Sequence, residues 1–258
     1  MKALRPSLLL LLLLSALPAA AGQHERFEMP LAPGGRAATV HVYLFDDRDE
    51  TLQVAIRPEK EKEGETPMDL GKACSDARAS AGINGGFFDY LGEPLGLVIA
   101  SGTPTGKVNL SSTLTSGLVV REGDGLSLRK AKEYDFATAK PSQLIQTGPF
   151  LVEESKGLVD LQPSRFARRS VILTDGGHRW AIAFFPSATL DGLAKALEKP
   201  GAFKPFQPRT ALNLDGGSSC GFWTLRPGGY VFYLKEISKV RDFLLVVPKA
   251  VDQPLIKP

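Results

Sequence analysis

The chain is poor in the side chains that usually build metal, redox and covalent sites. Its 258 residues hold two cysteines and three histidines. His24, His41 and His178 are not spaced as a metal cluster, and no HExxH, EF-hand loop or paired-histidine motif occurs. That argues against a two-metal phosphodiesterase, and the expectation is no metal and no cofactor. A divalent cation held by carboxylates and carbonyls stays open. No G-x-S-x-G elbow surrounds Ser218 or Ser219, so a serine hydrolase lacks its signature. No Lys/Arg stripe stands out, so nucleic acid is not an expected partner. No internal repeat is long enough for a solenoid. Beyond the first residues, no segment approaches the roughly 20 apolar residues needed to span a bilayer.

Those first residues are a separate matter. Lys2 and Arg5 give a basic start, Leu8 to Leu14 an apolar block, and Ala19-Ala20-Ala21 a small-residue site. This is the pattern of a cleaved export signal. The expected organisation is a leader over 1–21, one domain over 22–250 and a frayed tail over 251–258. The chain is then exported, periplasmic or secreted, with no stable membrane span after cleavage. Loss of Lys2 and Arg5 changes 31 basic against 28 acidic residues into 29 against 28, so the net charge falls from +3 to +1. Export permits a disulfide between Cys74 and Cys220; two buried free thiols are the alternative.

Glycine and proline are frequent and dispersed, which reads as many short strands with turn punctuation. Residues 38–45 and 52–56 look like a first strand pair around a polar turn. The charged run 59–65 reads as a solvated loop. Further strands are expected over 95–99, 116–120, 144–152, 170–173, 180–185, 209–214, 222–225, 230–234 and 243–247. A helix is expected over 67–79. Another is expected over 187–197, where Leu190, Leu193, Ala194 and Leu197 share one face and Ser187 or Thr189 supplies the cap. Strands without regular strand–helix alternation predict an α+β fold: a mixed, strand-rich single domain with two or more helices.

Two stretches end an apolar segment in a polar residue and a glycine pair. One is Asn84-Gly85-Gly86 followed by Phe87, Phe88 and Asp89; the other is Asp215-Gly216-Gly217 followed by Ser218, Ser219 and Cys220. Glycine admits positive φ and close approach of a ligand to the backbone. Successive free amides in such a turn make an anion-binding concavity. Either pair alone would equally be a tight turn with a capping Asn or Asp.

The order of parts carries more. Asn84 to Phe88 is followed by Pro94 to Gly96 with Gly102 beyond, then Thr147 to Val152, Arg169-Ser170 opening a strand, Thr189 to Leu197, and Leu212 to Ser219. This order resembles the phosphodiester glycosidase family from about Ser80 to Val247. The resemblance implies a glycosidase that cleaves a sugar from a phosphodiester joined through the anomeric oxygen. Its partner is then a phosphorylated glycan or sugar-1-phosphodiester. Ser170 stands where the family has threonine, and Ser218 where it has a third glycine, a change that would narrow the site or alter the substrate.

A departing phosphate is a stable anion, so the site needs charge stabilisation more than proton donation. Arg169 offers a planar fork for phosphate, with Arg168 as the alternative, because neighbours on a strand face opposite sides. Amides around Gly85, Gly86, Gly216, Gly217 and Ser218 would add donors, and Asn84 would bind substrate or hold its loop. A carboxylate must act on the anomeric side as base or nucleophile: Asp215 first, then Asp89, then Glu93. The rival functions are a non-catalytic envelope protein that binds phosphorylated glycans and a phosphodiesterase that cleaves the P–O bond.

Overall fold

Apolar residues that alternate along a strand are sorted onto two faces, and here both faces of the central strands are buried. Val171 and Leu173 enter one core while Ile172 enters another; Ala181, Ala183 and Phe185 part in the same way from Trp180, Ile182 and Phe184. A computed structural model of the chain describes residues 22–31, 37–60, 64, 66–158, 161 and 165–249. The leader, the tail and residues 61–63 and 65 of the charged loop lie outside the described residues.

The strands form three antiparallel sheets. The first has seven strands in the order Gln23–Pro30, Ala37–Asp46, Arg179–Ala188, Ala167–Thr174, Thr210–Asn213, Phe150–Glu153 and Lys156–Gly157. The second runs Val231–Leu234, Phe222–Leu225, Ala81–Asn84, Asp242–Pro248 and Glu50–Ile56. The third runs Thr103–Thr105, Val98–Ala100, Gln143–Thr147, Gly117–Glu122 and Gly125–Lys130.

One core fills the space between the seven-stranded sheet and the other two. It joins Tyr43, Ile172 and Leu212 to Ile83, Phe222 and Leu244 from the second sheet and to Val98, Val119 and Ile145 from the third. Full burial of each such side chain contributes about 1.5–3 kcal/mol. Helix Leu190–Glu198 covers the far face of the first sheet through Leu193, Ala194 and Leu197, and Thr189 caps it by accepting from the Gly192 amide at 3.1 Å. Helix Leu70–Asp76 covers the far face of the second sheet through Leu70, Ala73 and Cys74, and Asp69 caps it.

Both expected helices are present, trimmed to the turns their caps define. The body is nevertheless mostly β, so the α+β description holds only loosely. Two strand expectations are corrected. Residues 37–46 and 50–56 do not pair: the turn between them carries the chain from the first sheet to the second. The expected strand 144–152 is two strands in different sheets, Gln143–Thr147 and Phe150–Glu153. Pro149 has no amide to give a ladder, and the chain changes sheet there. The strands Gln23–Pro30 and Gly125–Lys130 were not expected from the sequence; both are polar edge strands with little apolar alternation.

The disulfide is also corrected, because Cys74 and Cys220 are buried free thiols. Cys74 packs with Leu70, Phe243 and Leu245 on one face of the second sheet, and Cys220 with Ile83, Phe222 and Leu244 on the other. The sheet itself separates them. Burial pushes the Cys220 thiol up to about 11 and the Cys74 thiol higher still. The purified protein is therefore expected to yield two thiols in denaturant, slow labelling when native, and the same melting temperature with and without reductant. A mass two hydrogens lower than the reduced chain would contradict this assignment.

Candidate functional site

The two glycine motifs meet where the three sheets converge. Strand Ala81–Asn84 of the second sheet ends beside the residues that follow strand Thr210–Asn213 of the first. The Asp215 amide donates to the Gly85 carbonyl at 3.0 Å, and the Leu214 amide donates to the Ser170 carbonyl at 2.9 Å. The third sheet arrives through Thr147 and Gly148: the Thr147 hydroxyl donates to the Asn213 carbonyl at 3.1 Å, and Asn213 Nδ2 donates to the Gly148 carbonyl at 2.9 Å.

Asn84 holds this junction. It is fully buried. Its Nδ2 donates to the Asp215 carbonyl at 2.8 Å, while its Oδ1 accepts from Ser170 Oγ at 2.6 Å and from the Gly221 amide at 3.2 Å. Three of its hydrogen bonds serve the protein, so of the two roles open to it the geometry favours holding the loop. Ser170, in the place of the family's threonine, retains the hydroxyl that this bond requires.

The reason for the first glycine pair is Asp242. Its Oδ1 accepts from the Gly86 amide at 2.8 Å, and its carbonyl accepts from the Gly85 amide at 2.9 Å. A Cβ on Gly85 would stand 1.9 Å from Asp242 Oδ1, and one on Gly86 3.1 Å from Ile145 Cγ2. The pair therefore admits a buried carboxylate, and its amides are engaged with that carboxylate's residue rather than presented to a ligand. Asp242 is wholly buried, and its Oδ2 has no partner among the described residues. Burial raises its carboxyl to about 7; the Gly86 amide opposes the rise, and the nearby Asp215 adds to it. Sequence reasoning missed this residue. The available signal was a lone carboxylate heading the apolar run Phe243 to Val247.

The second glycine pair is more open. Asp215 Oδ1 accepts from the Gly216 amide at 2.7 Å. Burial raises the Asp215 carboxyl, against hydrogen bonds from Ser219 and Gly216 that favour the ionised form. Gly217 has φ +66° and open space where a Cβ would be. Ser218 is exposed; its hydroxyl bonds to Ser238 Oγ at 2.6 Å, and its carbonyl accepts from the amides of Ile237 and Ser238. The serine in place of the family's third glycine thus turns outward, and the positive φ falls on Gly217.

Arg168 and Arg169 both reach this loop, which corrects the expectation that only one could. The pairing of their strand shifts register between Ala167 and Arg169, and such a bulge suspends strict alternation. Arg168 donates from Nε to the Gly217 carbonyl at 2.9 Å and from Nη2 to the Ser218 carbonyl at 3.3 Å. Arg169 donates from Nε to the Ala188 carbonyl at 3.0 Å and from Nη2 to the Arg165 carbonyl at 2.8 Å. Its Nη1 lies 3.3 Å from the place of a Cβ on Gly216. Burial lowers the Arg169 guanidinium from its usual range, and Arg165 adds to this.

The other two carboxylates lie on a different loop. Asp89 Oδ1 accepts from the amides of Leu91 and Glu93 at 2.8 and 2.9 Å, so it braces its own turn. Glu93 is exposed and lines a cavity of about 300 Å³ with Arg57, Lys239 and Arg241. The segment that bonds to the Ser218 carbonyl runs directly into Lys239. Among the described residues one group of acids and histidine could meet on a cation, Asp46, Asp47 and His178. Its members already pair, Asp46 with Arg48 at 2.6 Å and Asp47 with His178 at 2.6 Å.

The Asp242 carboxyl has a consequence for stability. Its folded value is raised above the unfolded one, so its contribution is complete below about pH 4 and is lost as pH rises through about 7. Relative to Asp242→Asn, the native chain is expected to lose up to about 1.4 kcal/mol per pH unit across that window. Thermal melts of both proteins from pH 4 to 8 check this; parallel curves would remove the assignment.

Comparison with known proteins adds the lineage. A search of curated proteins returned no match. Among solved structures, the chain is similar to the zebrafish N-acetylglucosamine-1-phosphodiester alpha-N-acetylglucosaminidase catalytic domain, auto-inhibited by its pro-peptide. That match has 14% identity and a TM-score of 0.65, over 90% of this chain and 85% of that one. It is similar to a hypothetical protein from Synechocystis at 14% identity and TM-score 0.57, over 89% and 62% of the two chains. A Burkholderia pseudomallei protein named as exported matches at 12% identity and TM-score 0.53, over 84% and 76%. At these identities the likenesses speak for the fold. The sequence pattern of the phosphodiester glycosidase family matches residues 77–247, the span that holds Asn84, Arg168, Arg169, Asp215 and Asp242, and the chain belongs to that family.

Proposed function

We propose that this chain is an exported hydrolase that breaks the bond between a sugar's anomeric carbon and a phosphodiester, releasing free sugar and a phosphomonoester. The observation that carries the reading is the loop Asp215 to Ser218, which bears a partly buried carboxylate and is flanked by two arginines: Arg168 bonds to the Gly217 and Ser218 carbonyls, and Arg169 Nη1 lies beside Gly216. Arg168 and Arg169 direct their hydrogen bonds to carbonyl oxygens, which leaves their charge for a bound anion. The amides of Gly217 and Ser218, without a protein acceptor among the described residues, add donors.

On this reading Arg169, with Arg168 beside it, holds the phosphate, which leaves as an anion and needs little protonation. Asp215 acts on the anomeric side as base on water or as nucleophile. Partial burial strengthens both halves of the site, because charges interact more strongly away from bulk water. Asn84, Gly85, Gly86 and Asp242 position the loop rather than touch substrate. Glu93, on the neighbouring cavity, is the second carboxylate that a longer substrate would meet; Asp89 shapes that loop. No residue named here requires a cation for its role.

The mature protein is expected to convert a sugar-1-phosphodiester to free sugar and phosphomonoester, read by product NMR. Asp215→Asn should lower kcat by on the order of 10³ while ligand still binds. Arg169→Lys keeps the charge and loses the fork, and should raise KM by roughly 10–100-fold. The raised Asp215 carboxyl places the acid limb of kcat/KM above the ordinary aspartate value of about 3.9. Sugar phosphate as the product would instead establish P–O cleavage. Saturable, Arg169-dependent binding without turnover across a panel of such diesters would establish a binding protein.

A further inference from the structure

Glu50 is a buried carboxylate without a cationic partner. It is 2% exposed and among the described residues is in no ion pair. Its donors are neutral: the Gly22 amide at 2.9 Å from Oε2, the Tyr43 hydroxyl at 3.1 and 3.3 Å, and the hydroxyl of Ser80. An ionised carboxylate removed from water and answered only by neutral donors is costly. The identity of the first donor resolves the difficulty. Gly22 is the residue immediately after Ala19-Ala20-Ala21, where the leader pattern places its cleavage. Only glycine fits there: a Cβ would stand 2.2 Å from the Leu44 carbonyl oxygen, 2.5 Å from Glu50 Oε2 and 2.8 Å from Tyr43 Cε1.

We propose that cleavage between Ala21 and Gly22 makes Gly22 the mature N-terminus, and that its α-ammonium forms a half-buried ion pair with Glu50 that ties the first sheet to the second. In the cleavage an export peptidase adds water across the peptide bond. The hydroxyl joins the Ala21 carbonyl carbon. The C–N electron pair leaves with the Gly22 nitrogen, which takes up protons to become the ammonium. A neutral amide donor facing Glu50 thereby becomes a cation at the same place. Gly22 also lines a cavity of about 830 Å³ together with His24, Arg26 and Tyr43. Tyr43 lies in strand Ala37–Asp46 of the first sheet, and Glu50 opens strand Glu50–Ile56 of the second, so the pair bridges the two sheets at the turn that separates those strands. This inference is independent of the glycosidase reading.

The test begins with the intact mass and N-terminal sequence of the exported protein, expected to start at Gly22. A chain released from a fusion to begin at Gly22 is then compared with one that keeps Ala21, each with Glu50 and with Glu50→Gln. Retaining Ala21 turns the Gly22 nitrogen back into an amide. With Glu50 present this should lower Tm by about 5 °C or more; with Glu50→Gln the difference should largely vanish, since the two changes remove one interaction. A mature start elsewhere, equal melting of the two Glu50 chains, or an equal loss in both backgrounds would overturn the proposal. Should Glu50→Gln fail to fold, the α-amine of the Gly22 chain decides. Glu50, with Asp49 beside it, faces that amine and raises its pKa; Tyr43 packs against it, Arg26 on its own strand and Arg226 across the cavity oppose the rise, and His24, which burial lowers to about 4, is neutral there. A titration by NMR is expected well above the usual 7.7–8.0, and a value in that range would also overturn the proposal.

Discussion

The arrangement of this protein depends on one buried carboxamide. Asn84 closes a strand of the second sheet, bonds to the backbone that follows a strand of the first, and accepts the hydroxyl of Ser170 from another strand of that first sheet. A buried polar group with every bond made is rigid, and the same group with one bond lost is costly. The junction therefore has one geometry. The loop that carries Asp215 and the strand that carries Arg168 and Arg169 inherit it. Apolar burial between the sheets supplies most of the favourable free energy of folding, but it is non-directional and would tolerate a shifted docking. The hydrogen bonds of Asn84 would not.

Electrostatics at this junction are arranged in depth. Asp242 is deepest and wholly buried, with a carboxyl raised to about 7. Asp215 stands nearer the surface, also raised, within reach of that second acid. The arginines lie at the rim of the Gly216–Gly217 turn, with their hydrogen bonds to carbonyls. Asp215 makes ionisation of Asp242 harder, and Arg165 lowers the Arg169 guanidinium further than burial alone. On the proposed reading, the phosphate of the ligand lies outward by the arginines and its sugar toward Asp215. The glycine pairs serve the two layers differently. The inner pair admits the Asp242 carboxylate against the backbone; the outer pair turns the chain at positive φ so that Ser218 faces out. A second tie between the first two sheets lies at the Glu50, Tyr43 and Gly22 cluster, where the partners again come from strands that do not pair with each other.

Much was legible in the chain itself. The order of the glycine motifs, the Thr147-Gly148-Pro149 stretch, the arginine pair and the amphipathic run after Thr189 sufficed to identify the family, and the family match over residues 77–247 agrees. Period-two alternation located most central strands, and cap residues located the helices, because these signals are local. Edge strands such as Gln23–Pro30 escaped because they bury little and so show little alternation. The pairing of Ala37–Asp46 with Arg179–Ala188 escaped because a polar turn between two strands reads as a hairpin whether or not the chain changes sheet.

The sequence alone determined which residue types the site holds, and that the two glycine turns belong to one lineage of sites. Only the tertiary structure decided what each does. It placed the Gly85 and Gly86 amides on Asp242, tied Asn84 to the Asp215 loop and to Ser170, set both arginines beside one loop through a bulge, and put the two cysteines on opposite faces of a sheet. The physical reason is the same in each case. Composition and spacing report local backbone preference, whereas the partner of a buried polar group comes from a distant part of the chain, as Asp242 does for Gly86.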